Sequence, residues 1–144
     1  ELLAKVVQDL WILTKAGIVV FSRVFDEKVD EQLFGALMMA LHTFAQNISQ
    51  GGLSSFDISS KRFTILKDYY KDEEFLFVAN SSNKVKDRKI QEELKKISNR
   101  FFEKYSNILE NWDQSEIDLF YDFEKEIEDS LENPIKKFWD GLVT

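Results

Sequence analysis

Between Ile90 and Trp112, apolar residues recur every three or four positions over about six helical turns. This spacing predicts an amphipathic α-helix with one apolar side, and a stripe of that length must be buried against another layer of structure. The stripe consists of Ile90, Leu94, Ile97, Phe101, Tyr105, Ile108 and Trp112. The rest of the chain therefore has to supply a matching apolar surface.

Short apolar runs at the start of the chain predict a β-hairpin. Leu10–Leu13 and Gly17–Arg23 are rich in apolar residues, several of them β-branched, and Gly17 suits a turn position with positive φ. Residues 1–9 are ambiguous, since they fit either a short helix or an extension of the first strand.

Three further strands are predicted before the long helix. Phe56 and Ile58 alternate with polar residues, and Phe63 and Ile65 do so again after a turn around residues 59–61. Residues 75–79 are apolar at every position, which is typical of a strand covered on both faces. The polar stretch 67–74 predicts a surface loop between the last two strands.

One helix is predicted between the hairpin and these strands. Asp30 is a suitable N-cap, the helix should run to about Ser49, and Gly51 and Gly52 should end it. One side of it carries Phe34, Leu37, Met38, Leu41, Ala45 and Ile48, widened by Leu33, Ala36, Ala40 and Phe44. This pattern predicts a helix that is buried over much of its circumference.

The C-terminal part of the chain is predicted to be helical. Residues 80–83 offer N-caps for the long helix, Asp113 or Ser115 begins another, and Pro134 suits the first turn of a short last one. The inner face of the middle helix should comprise Ile117, Phe120, Phe123, Ile127 and Leu131, and one side of the last helix carries Ile135, Phe138, Trp139 and Leu142.

The predicted order is ββαβββαα plus a short tail helix. This is an α+β pattern with a single five-stranded antiparallel sheet and helices packed on it. We expect residues 1–112 to form the core, and residues 113–144 to form a helical extension that packs on the same domain.

The residue types argue against an enzyme. The chain has no Cys, so disulfides, Cys-based zinc sites and Cys–His pairs are excluded, and its single His leaves no His-rich metal site. No Gly-rich phosphate loop is present. His42 is expected to be structural, and the carboxylates of Asp68 and residues 72–74 are expected to be solvated. We therefore predict no catalytic residues, no cofactor and no metal.

The net charge of −7 disfavours nucleic acid as a partner. Residues 84–104 carry eight basic and four acidic residues, whereas residues 110–132 carry ten acidic residues and one basic residue. This pattern indicates either two solvated helix faces that attract each other or an acidic docking surface for a basic partner. No apolar run is long enough to span a bilayer, and no secretory signal is evident, so we expect a cytoplasmic protein, with peripheral membrane association left open.

Several segments resemble longin domains. The element order is that of the longin fold, and EFLFVANSSN with the later ISNRFFEKY is similar to the last strand and following helix of these domains. SEIDLFYDFEK resembles an E-L-D-L-I-F-N-F-E-K type of segment in the small (sigma) subunits of clathrin-adaptor complexes, and LWILTKAGIVVFSRVF resembles their opening strands. The resemblance covers about residues 9–132. Sigma subunits carry basic residues early on the second strand, where this chain has Ile18, Val19 and Val20, which argues against recognition of acidic dileucine cargo.

The resemblance implies a protein–protein interaction module of membrane-trafficking or small-GTPase-regulatory machinery. The partner would be a small GTPase or a coat or adaptor subunit, and homo- or hetero-oligomers are both compatible with it. In longin-domain proteins a following segment commonly folds back onto the groove between the first helix and the third strand. The partner-binding residues implied by that groove are Leu33, Leu37, Met38, Leu41, Phe56 and Ile58, and the residues of a competing latch are Ile135, Phe138, Trp139 and Leu142.

Two other functions stay open at this point. Sheet-plus-helix domains of profilin or PAS type hold small molecules in apolar pockets, so the chain could be a sensory domain. It could also be a subunit of a larger scaffold. For the tail, a permanently docked helix that completes the core is the alternative to the latch.

Overall fold

The computed structural model describes residues 5–24 and 30–131. Its five strands are β1 (Asp9–Thr14), β2 (Val19–Arg23), β3 (Ser55–Ile58), β4 (Lys61–Tyr70) and β5 (Glu73–Ser82). The helices are α1 (Glu31–Ile48), α2 (Asp87–Glu110), a 3₁₀ helix (Asp118–Phe123) and α3 (Glu124–Ile127). The strands form one sheet in the order β2-β1-β5-β4-β3, and every neighbouring pair is antiparallel. This confirms the predicted longin-like α+β architecture.

The first hairpin is formed as the sequence predicts. Gly17 has φ of +84°, which a residue with a Cβ rarely adopts, and its N–H donates to the Thr14 carbonyl over 2.9 Å. The register skips Val20 between the pairs Ile12–Phe21 and Leu13–Val19, so β2 contains a bulge. Residues 5–8 form neither a helix nor an extension of β1, and Val7 instead makes an isolated bridge to Leu131.

The prediction of a surface loop over residues 67–74 is wrong. β4 continues to Tyr70 and pairs with β5 through Tyr70–Glu73, leaving only Lys71 and Asp72 in the turn. Lys71 adopts φ of +54°, as a tight hairpin turn requires. Asp68 is retained in a strand because its side chain faces α2. Asp68 accepts hydrogen bonds from Lys95 Nζ at 2.9 Å and from Ser98 Oγ at 2.7 Å.

The start of α2 also differs from its prediction. Residues 80–82 belong to β5, and the helix begins at Asp87 after Lys86, which makes no side-chain capping bond. The predicted stripe is confirmed for its first five members, all of them buried, whereas Ile108 and Trp112 are partly buried. At Tyr105 the backbone leaves helical geometry, so α2 is kinked there.

The C-terminal segment packs on the same face of the sheet as α2. It is a 3₁₀ helix followed by a single short α-helix, rather than one continuous helix. Phe120, Phe123, Ile127 and Leu131 are buried as predicted, and Ile117 is partly buried. Aromatic rings fill this core: Phe101 lies 5.1 Å from Phe120 and 5.2 Å from Phe123, centroid to centroid.

Candidate partner-binding surface

α1 lies on the opposite face of the sheet from α2, and its first turn is fixed by three contacts. The Asp30 carboxylate accepts a hydrogen bond from Leu33 N–H at 2.9 Å, which confirms the predicted N-cap. The Gln32 side chain bonds both backbone groups of Val19. Gly35 packs so closely on Gly17 that a Cβ at position 35 would overlap the Gly17 carbonyl. The N-terminal half of α1 is therefore held tightly against the first hairpin.

The inner side of α1 completes a second, smaller core. Phe34 and Met38 are buried, and the Phe34 ring stacks on Trp11 with 4.1 Å between centroids. Phe63 of β4 lies 6.1 Å from Phe34 and stacks on Phe56 of β3 at 5.1 Å. These four rings form an aromatic row that crosses the sheet under α1 and reaches β3.

The prediction that α1 is buried over much of its circumference is wrong. A second apolar stripe, which we call the outer stripe, points away from the sheet, with Leu33 65%, Leu37 54%, Phe44 65% and Ile48 73% exposed. Its members are four or seven residues apart, so they share one side of the helix. The sequence pattern merged two stripes into one wide face because both contain large apolar residues at helical spacing. Clusters of exposed apolar residues are typical of interaction sites.

The structure separates the six residues implied as partner-binding. Leu33, Leu37 and Ile58 are more than half exposed, while Leu41 and Phe56 are partly buried and pack against the smaller core. Met38 is only 2% exposed and belongs to the core, so a docked partner would not touch it without rearrangement. The exposed members of this set are thus aliphatic, and Phe56 packs inward against the smaller core. The latch residues Ile135, Phe138, Trp139 and Leu142 lie outside the described residues.

The side chain of His42, a residue of α1, is buried beside Gly52. A Cβ at Gly52 would lie 2.7 Å from His42 Cε1, and neither ring nitrogen has a hydrogen-bond partner within the described part of the chain. Burial, with the nearby Lys67 charge, lowers the pKa of His42 below its usual value, although Glu74 opposes the shift. This environment therefore favours the neutral imidazole. Across residues 5–24 and 30–131, no group of three or more His, Asp or Glu side chains is placed to hold a metal ion.

The oppositely charged segments contact each other on the α2 side. Lys104 of α2 lies 3.6 Å from Asp122 and 3.3 Å from Glu126, and Arg100 lies 3.3 Å from Asp129. The Tyr105 hydroxyl donates to Asp122 at 2.5 Å, and burial together with that carboxylate raises the pKa of Tyr105. This confirms the prediction of two helix faces that attract each other. Part of the acidic segment is therefore engaged in contacts within the domain.

No helix in the described ranges combines the length and the apolar character needed to span a membrane.

Two comparisons with known proteins bear on this architecture. The structure is similar to Myxococcus xanthus MglB, with a TM-score of 0.53 at 12% sequence identity, over 70% of this chain and 85% of that chain. At this identity the likeness concerns the fold alone. A search of curated proteins finds no match.

The family comparison covers most of the fold described above. The model of the first longin domain of FUZ, MON1 and HPS1 matches residues 8–116, from just before β1 to the residues that follow α2. The match includes the whole sheet, α1 and α2, and it confirms the longin resemblance noted in the sequence. The chain belongs to the family of the first longin domains of FUZ, MON1 and HPS1.

Proposed function

We propose that this longin domain is a non-catalytic protein–protein interaction module of membrane-trafficking or small-GTPase-regulatory machinery. The observation that carries the proposal is the outer stripe of α1, defined above by Leu33, Leu37, Phe44 and Ile48. Fully burying one large apolar side chain is worth about 1.5–3 kcal/mol. Four such side chains on one helix supply enough apolar surface for a specific contact.

The way α1 is held supports this role. The Gly35–Gly17 contact and the Gln32 bonds to Val19 position the helix, so its outer stripe is presented by a fixed element and not by a loop. A rigid surface loses little conformational entropy on binding. The proposed surface extends toward β3 to Leu41 and Phe56, which are partly buried, and to Ile58, which is exposed.

The packing favours an interaction module over the sensory alternative. Side chains fill both cores: Phe101, Phe120 and Phe123 pack on the α2 side, and the aromatic row on the α1 side. A small-molecule site needs a concave apolar cavity, and apolar area here is instead presented outward on α1.

The test is binding to a panel of small GTPases, each in its GDP and GTP-analogue forms, by calorimetry. We expect specific binding to one member, weakened at least tenfold by the double variant Leu33→Ser, Leu37→Ser, because both side chains would be buried in the complex. Thr43→Ala, also exposed on α1 but outside the stripe, is the matched control and should bind like the wild type. Equal binding by the double variant and the wild type would contradict the docking surface.

A further inference from the structure

β2 is an edge strand whose outer side offers backbone hydrogen-bonding groups. It pairs with β1 on one side and has no strand on the other in the described sheet. In β1, Trp11 lies opposite Ser22 and Leu13 lies opposite Val19. Trp11 and Leu13 are two residues apart, so their backbone N–H and C=O groups point to the same side of β1. Their partners Ser22 and Val19 therefore also share one direction. Because Val19 bonds outward to Gln32, the N–H and C=O of Ser22 also point outward.

Gln32 occupies the position that a neighbouring strand would take. Its Oε1 accepts from Val19 N–H at 3.0 Å, and its Nε2 donates to the Val19 carbonyl at 3.2 Å. One side-chain amide thus forms the same two bonds that a residue of an added strand forms in an antiparallel pair. The Gln32 amide thus occupies the backbone groups of Val19. The next outward-facing N–H and C=O groups along β2 are those of Ser22.

A groove of about 310 Å³ runs beside this edge. One wall is the first turn of α1 with Glu31 and Gln32, and the other is the start of the 3₁₀ helix with Ile117, Asp118 and the 81% exposed Tyr121. The groove therefore combines outward-facing backbone groups, an apolar and aromatic wall and two carboxylates on opposite sides. The residues that line this groove are different from those of the outer stripe of α1.

We propose that the outer edge of β2 binds an extended segment of a partner protein by strand addition, and that the segment carries basic side chains alternating with apolar ones. Its backbone pairs with Ser22, which supplies affinity without sequence preference. Side chains of an added strand alternate between the two faces of the sheet. Ile117 and Tyr121 contact the apolar residues on one face, Glu31 contacts the basic residues on the other face, and Asp118 adds negative charge to the groove.

The first probe is a synthetic peptide of roughly ten alternating valine and lysine residues, the length of a long strand. We expect measurable binding by fluorescence anisotropy to the wild-type chain, and slowed hydrogen exchange at the Ser22 amide. The peptide with glutamate in place of lysine should bind at least tenfold more weakly, and so should the lysine peptide N-methylated at alternate residues. If the methylated peptide binds as well as the unmodified one, backbone pairing is refuted.

Substitutions in the protein test the same contacts as the changes in the peptide. Ser22→Pro removes the outward N–H while sparing the bonds to β1, and it should weaken the valine–lysine peptide about tenfold. Ser22→Ala is the matched control and should bind as the wild type. Glu31→Gln with Asp118→Asn should weaken the lysine peptide and remove its preference over the glutamate peptide.

Three outcomes would overturn the proposal. Equal binding by Ser22→Pro and Ser22→Ala would exclude the edge, and an unchanged charge preference in the double variant would exclude the acidic rims. A wild-type chain that sediments as a dimer, and that Ser22→Pro converts to a monomer, would assign the edge to a second copy of the chain. Should Ser22→Pro fail to fold, the methylated peptide and the charge variant still decide the matter.

Discussion

The two faces of the sheet are covered to very different extents. Among the described residues, eighteen buried apolar side chains form the core on the α2 side and eight form the core on the α1 side. α2 contributes six to its core, whereas α1 contributes only Phe34 and Met38. α1 nevertheless carries large apolar residues on its outer stripe. The α2 face therefore supplies most of the stability of the domain, and the α1 face leaves more apolar surface exposed.

The largest expected effect comes from the α2 side. Phe101 is fully buried, with six aromatic rings at centroid distances of 5.1–5.8 Å, so Phe101→Ala should lower the free energy of unfolding by about 3–5 kcal/mol. Phe44→Ala, the same substitution on the outer stripe, should cost less than about 1 kcal/mol because Phe44 is mostly exposed. Urea denaturation of both variants measures the difference. Similar costs for the two would refute the contrast between the faces.

The close approach of α1 to the hairpin gives the next effect. A methyl group at Gly35 would overlap the Gly17 carbonyl and come within 2.9 Å of Val19 Cγ2, so Gly35→Ala should destabilise the domain by about 1–3 kcal/mol. At Gly51 a methyl group would meet no atom within 4 Å, so Gly51→Ala should change stability by less than about 0.5 kcal/mol. Thermal unfolding of the pair is the measurement. A neutral Gly35→Ala would mean that α1 is not seated against Gly17.

Asp68 provides an acid-sensitive contact on the α2 side. Burial raises the pKa of this carboxyl, but hydrogen bonds from Lys95 and Ser98 outweigh it and hold the pKa below its usual value. The stabilisation is therefore complete above the unfolded pKa of about 3.9 and is lost as pH falls through the lower folded value. Asp68→Asn should cost about 1 kcal/mol at pH 7 and progressively less below pH 4. Urea midpoints at pH 7 and pH 3 test this, and a cost that does not shrink in acid would contradict it.

His42 gives the corresponding test on the α1 side, with the smallest expected effect. Burial and Lys67 lower its pKa, so its contribution to stability is present above the unfolded pKa of about 6.5 and is lost as pH falls through the lower folded value. His42→Gln should lose that pH dependence between pH 7.5 and 5 while leaving partner binding and any metal content unchanged. Denaturation at the two pH values measures it, and an identical pH slope in the variant would contradict the assignment.

Much of the fold can be predicted from the sequence because strong local patterns coincide with tertiary burial. Asp30 caps α1, Gly17 turns the hairpin, and residues 75–79 are buried as their continuous apolar run implies. The strand residues from Lys67 to Tyr70 escape prediction because Asp68 is polar and its partners on α2 are distant in sequence. Leu66 and Tyr70 are four residues apart and therefore share one face of a strand, and this spacing is the signal that could have found them.

The candidate site is less predictable than the fold. Helical spacing identifies which residues share a side of α1, but it does not say which of two apolar stripes faces the sheet. That choice is decided by Gly35, whose lack of a side chain allows close contact with Gly17. The pairing of Gln32 with Val19 joins residues thirteen apart through a side-chain amide, and no sequence pattern specifies such a bond.

The place of β1 in the sheet has a consequence for synthesis of the chain. β1 pairs with β5, and the Asp9–Asn80 hydrogen bond joins residues that are 71 apart in the sequence. The strand that pairs with the inner edge of β1 is therefore synthesised much later than β1 itself. At about 5–20 residues per second, β1 and β2 wait several seconds on the ribosome before residues 73–82 are synthesised. During that interval an apolar hairpin is unprotected, and ribosome-associated chaperones have their main opportunity to bind it. Closure of the sheet then depends on β5, so nascent chains stalled before that strand should be the ones that aggregate.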